Sequence, residues 1–130
     1  MGDRAIIGFK KSKESAPVFL YAHWGGSERF IDAARAIEAA ENRWNDTTYA
    51  TRIAVSTIVG SQWSNETGFG LSADLDEMTM PDYDDVLIVS WLDRAVEVYD
   101  YSELRKNRLS RPLVTLTFEH VCSMMPTTYR

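Results

Sequence analysis

Hydrophobic and polar positions follow two periods along this chain, and each change of period marks an element. "RAIIGFK" (4–10) and "PVFLYAHW" (17–24) are short apolar runs of strand length joined by the charged stretch "KKSKESA". That layout predicts a β-hairpin. The period then lengthens. Phe30, Ala34, Ile37, Glu41 and Trp44 recur at steps of three and four, with Ile31 and Ala40 beside them. This predicts a helix over 28–44, with Ser27 as its N-cap. A second helix is expected over 47–59, begun by Asp46 or Thr47 and stopped by Gly60. Ile53, Ala54, Val55, Ile58 and Val59 leave it little polar face, so it reads as largely buried. A short strand is expected at 69–73, then an acidic surface loop in which Pro81 blocks regular structure.

"VLIVSW" and "AVEVYDY" give a second hairpin over 86–101, turning at Leu92, Asp93 and Arg94. Strand alternation places Val96 and Val98 on one face and Glu97 and Tyr99 on the other. A basic excursion, "SELRKNRLSR", follows and reads as one helical turn, and "PLVTLTFEHV" (112–121) reads as a closing strand before a loosely held tail. Helices segregated from hairpins predict an α+β fold: an antiparallel sheet of about five strands built from hairpins, with two helices packed on one face, in a single domain over 1–130.

Composition narrows the function. The 130 residues carry a net charge of −5, which opposes generic nucleic-acid binding because that affinity comes from Lys and Arg neutralising phosphates. Cys122 is the only cysteine, so no intramolecular disulfide forms. No apolar run approaches the ~20 residues needed to span a bilayer, and "MGDR" lacks the layout of a secretion signal. A cytoplasmic location without membrane contact is expected. Exposed sheet edges together with many aromatics predict a homo-oligomer.

Two glycine-rich turns are the candidate site. In "YAHWGGSERF" the strand ends at His23 and Trp24, and Gly25, Gly26 and Ser27 lead into a helix. That is either an anion site made of unsatisfied helix N–H groups or a tight corner. In "NETGFG", Glu66, Thr67, Gly68, Phe69 and Gly70 form either a binding loop with an aromatic platform or a turn needing positive φ. Trp24, Trp63 and Phe69 are candidates for a stacking wall. Arg52, on an apolar helix, needs a carboxylate or a ligand anion, and Glu66 is within the choice. Arg105, Lys106, Arg108 and Arg111 are either a solvated turn or a phosphate contact. The acidic run Asp74, Asp76, Glu77, Asp82, Asp84 and Asp85 lacks the calcium-loop pattern. His23 and His120 have no metal-ligand spacing, so neither a metal nor a cofactor is expected. His120 and Cys122 fall on one face of the expected last strand, where neighbours two apart form a poor nucleophilic pair. His23 and Glu66 are the residues that an acid–base hydrolase would use.

"VFLYAHWGG", "RWNDTTYATRIAVSTIVG" and "ETGFGLS", in that order, resemble a group of small proteins of unassigned activity from bacteriophages, notably of actinobacteria, and from bacterial genomes. The resemblance spans about residues 4–100 and rests on Tyr21, His23, Trp24, Gly25, Gly26, Arg43, Trp44, Tyr49, Arg52, Glu66, Thr67, Gly68 and Gly70. It implies a phage-type accessory protein acting in the host cytoplasm and leaves the mechanism open. Three functions follow as expectations. The first is modulation or inhibition of a host protein or defence pathway. The second is sequestration of a small phosphorylated ligand between the glycine turns. The third, with the least weight, is hydrolysis.

Overall fold

The computed structural model describes residues 3–81 and 84–126. Asp82 of the acidic run and the last four residues of the tail lie outside them. The chain forms β1 (Ala5–Lys10), β2 (Val18–Ala22), α1 (Arg29–Ala39), α2 (Thr47–Val59) and β3 (Phe69–Ser72). It continues with β4 (Asp85–Ser90), β5 (Ala95–Asp100), α3 (Tyr101–Lys106), β6 (Val114–Thr117) and α4 (Phe118–Ser123). The architecture is α+β, with one six-stranded sheet in the order β3-β2-β1-β4-β5-β6.

The sheet is mixed rather than antiparallel. Both expected hairpins form, β1 with β2 and β4 with β5, and β3 and β6 extend them antiparallel. The two halves join through β1 and β4, which run parallel. Period-2 alternation carries no information about strand direction, so the sequence could not show this pair. Burial explains why both strands read as unbroken apolar runs. Every residue of β1 is buried, as are Val86–Ser90 of β4, as expected for strands covered on both faces.

The helix count also differs from expectation. α1, α2 and α4 cover one face, over Ile7, Phe9, Leu20, Leu87, Val89 and Trp91. α3 and the segment 75–80 cover the other, over Ile6, Phe19, Val86, Ile88 and Tyr99. Tyr101 anchors that second cover by donating its hydroxyl proton to the Met78 carbonyl at 2.5 Å. The expected strand 112–121 stops at Thr117, whose side chain caps α4 by accepting from the His120 N–H at 3.0 Å. His120 and Cys122 therefore lie on a helix, not on one face of a strand. Asp100 caps α3 in the same way through the Glu103 N–H at 3.0 Å. Both helices carried a sequence signal: a capping side chain three residues before the amide it satisfies.

The first helix is shorter than expected. α1 ends at Ala39, and Glu41–Arg43 form a separate 3₁₀ turn that leaves Glu41 exposed. Trp44 still packs back, donating its indole N–H to the Ile37 carbonyl at 2.9 Å. Ser27 is not its N-cap; Gly26–Glu28 form a 3₁₀ turn and Glu28 precedes the helix. α2 has the expected bounds, but only one side of it is buried, through Ala50, Ala54, Val55 and Val59. No helix among the described residues is long and apolar enough to cross a membrane.

Candidate functional site

The two glycine turns meet. The His23 N–H donates to the Gly68 carbonyl at 2.9 Å, and the β2–β3 register places Ala22 opposite Phe69 and Tyr21 opposite Gly70. His23, Trp24, Gly25 and Gly26 thus lie beside Gly68, Phe69 and Gly70 at one end of the edge strand β3.

The first turn already holds an anion, and it is the protein's own. The Ser27 N–H donates to the Asp3 carboxylate at 2.8 Å, and the Gly26 N–H donates to the Asp3 carbonyl at 2.6 Å. A side chain at Gly26 would meet the Arg4 carbonyl at 2.8 Å, so only glycine lets the chain's start pack there. Of the two readings of this turn, the tight corner describes the geometry. The donors that a phosphate would need are occupied.

Two clefts flank the junction, one on each face of the sheet. The helix-side cleft, about 250 Å³, is lined by Trp24, Glu28, Asp32, Gln62, Gly68 and Phe69. The opposite cleft, about 500 Å³ and open, is lined by Arg4, Tyr21, Gly70, Ser72, Glu77 and Thr79. Trp24 is 68% exposed, and His23 packs edge-on against its ring at 4.8 Å between centroids. Trp63, 55% exposed, stands beside Gln62 in the chain but outside the lining.

The helix-side cleft is acidic. Burial pushes the Asp32 carboxyl up to about 6 against the pull of Arg35, and Glu28 raises it further. Arg35 approaches Asp32 only at 3.5 Å. Arg29 is turned away, bonded to both oxygens of Asp85 at 2.7 and 3.2 Å and to the Gly26 carbonyl at 2.7 Å. Such a cleft, with carboxylates beside an exposed indole, suits a cation.

Other expected site residues do not converge there. Arg52 is exposed, and its one hydrogen bond donates to the Ser56 hydroxyl at 3.4 Å, a turn away on the same helix. It does not reach Glu66, because the side of α2 that carries it faces solvent. Glu66 and Thr67 are exposed in the loop before Gly68. Among the described residues no hydrogen bond or ion pair joins His23 to Glu66. The His23 Nδ1 instead shares a hydrogen bond of 2.8 Å with the Tyr21 hydroxyl. In the basic segment, Arg105 and Arg108 pair with Asp76 and Asp74 at 3.4 and 3.2 Å. These pairs pin the acidic run over the second face. Among the described residues no cluster of three His, Cys, Asp or Glu side chains forms a metal-ligand set.

Sequence reasoning missed Glu28 and Asp32. Each reads as an ordinary polar position on an amphipathic helix, and only the crossing of β3 beside α1 encloses them. Compared with protein-family models, curated proteins and solved structures, the chain matches none.

Proposed function

We propose that the protein acts by binding rather than by catalysis, as an accessory protein that modulates a host protein, and that the helix-side cleft receives a basic side chain of that partner. The observation that carries this reading is the lining of the cleft: Glu28 and Asp32 beside the exposed ring of Trp24, with Arg29 committed elsewhere. Opposite charge and an aromatic face together favour a guanidinium or ammonium group. The alternative, sequestration of a phosphorylated ligand between the glycine turns, has less support because Asp3 occupies the Gly26 and Ser27 amides and the neighbouring carboxylates repel phosphate.

Titration with arginine amide, followed by tryptophan fluorescence, tests the reading. A saturable change that weakens with added salt and disappears in Trp24→Phe and Asp32→Asn is expected. Inorganic phosphate and nucleotides should give no thermal stabilisation. Stabilisation by those anions with no response to arginine amide would replace this reading with sequestration.

A further inference from the structure

β3 is the open edge of the sheet at the candidate site. The His23 N–H to Gly68 carbonyl bond fixes which of its main-chain groups face outward. In an antiparallel ladder, hydrogen-bonded and non-hydrogen-bonded pairs alternate. Gly68, Gly70 and Ser72 therefore turn their main-chain groups toward β2, and Phe69 and Leu71 turn theirs away from the sheet. At four residues this edge is short, but it lacks the other usual protections. "FGLS" contains no proline, no lysine and no bulge, and Leu71 is 53% exposed. A cleft lies on each face beside it, reached past Gly68 and Phe69 on the helix side and past Gly70 and Ser72 on the other. A methyl group added at Gly70 would meet no atom within 4 Å.

We propose that the partner binds as an extended segment that adds a seventh strand to the outer edge of β3, with a lysine or arginine directed into the Glu28–Asp32 cleft. This rests on the reading of that cleft as a cation site. An added strand bonds to the outward main-chain groups of Phe69 and Leu71. Because its side chains alternate between faces, one points into the acidic cleft. The next points across the edge into the larger polar cleft of Arg4, Tyr21, Ser72 and Glu77. Charge selects the occupant: the helix-side cleft holds two carboxylates against the single distant contact from Arg35. A second copy of this chain would bring one of its two sheet edges, "FGLS" of β3 or "VTLT" of β6, and neither strand has a basic residue.

The test compares three probes on the full chain: arginine amide, a capped peptide of four Thr-Lys repeats, and the same peptide with every main-chain amide N-methylated. N-methylation keeps the charge and removes main-chain donors. The unmodified peptide should bind about tenfold or more tighter than the methylated one, as the loss of two hydrogen bonds implies. Leu71→Pro, which removes an outward N–H only, should erase that difference while leaving arginine amide binding unchanged. Should proline disturb the fold, hydrogen exchange of the Leu71 amide in the wild-type protein is the second measurement: the unmodified peptide should slow it and the methylated one should not, and equal exchange with both overturns strand addition. Equal binding of the two peptides overturns strand addition and leaves the cation cleft standing, as does binding of arginine amide alone. Binding of none of the three overturns both. A homodimer that Leu71→Pro dissociates would show the edge occupied by a second copy and overturn the proposal.

Discussion

Asp32 shows how one residue's setting differs from its type. An aspartate near the start of a helix is ordinarily a solvated, dipole-favoured carboxylate. Here burial beside Trp24 and Phe69 pushes its pKa well above the usual aspartate range, to about 6. The sign of the consequence is fixed by linkage. Below pH 4 the group is protonated folded and unfolded alike. Between about pH 4 and 6 only the unfolded chain ionises, so stability falls as pH rises and levels off above 6. Asp32→Asn should flatten that part of the pH–stability curve and stabilise the protein at pH 7 by on the order of 1 kcal/mol after solvent screening. Chemical denaturation at pH 4, 5, 6 and 7 checks this. In the cation-binding titration the same carboxyl, flanked by Glu28 and Arg35, gains its charge across pH 6, so affinity for arginine amide should rise over that interval. Tyr99 shifts in the same direction. Burial and its hydrogen bond to the Glu97 carboxylate keep its phenol protonated far above the usual range.

The elements owe their ends to single residues. α2 stops because Gly60 takes φ 60° and ψ −128°, a conformation essentially closed to residues with a Cβ. A Cβ there would touch nothing within 4 Å, so the cost of Gly60→Ala is backbone strain alone. A loss of about 1–3 kcal/mol in unfolding free energy is expected, with unchanged near-ultraviolet circular dichroism. A neutral or stabilising effect would show that the turn after α2 relaxes freely. Gly60 was legible as a stop in the sequence. The Thr117 cap was equally present, but the β-branched and aromatic residues around it also suit a strand. Propensity alone could not decide between a strand that continues and one that turns into a capped helix.

Across the whole molecule the sheet is two antiparallel halves fastened along β1 and β4. A buried ion pair spans this join. Lys10, at the end of β1, meets Glu97 of β5 at 2.6 Å, reaching over β4, and Tyr99 donates to the same carboxylate at 2.8 Å. Removing one member leaves the other charged in the interior. Lys10→Met should cost about 3–5 kcal/mol, and Lys10→Met with Glu97→Leu should cost less than the single change. Urea denaturation of the four proteins in the cycle measures both. If the single variant matches wild type, Glu97 finds water or another partner on its own. The two halves also explain the site. The chain leaves β2 for α1 and α2 and returns as β3 at the outer edge, which brings the second glycine turn against the first.

The sequence by itself determined the elements whose signal is local: both hairpins, α2 with its bounds and stop, and the division into helices and strands that makes the fold α+β. It also marked the two glycine turns, because glycine pairs at strand ends are visible in any sequence. Their meeting, the parallel β1–β4 pair, the second covered face and the acidic cleft required the tertiary structure. Each depends on which distant strand pairs with which, and the period of a single segment carries no record of its neighbour. The same holds for charge. Asp3 lies 24 residues from Ser27, yet it fills the amide site that the local pattern left open.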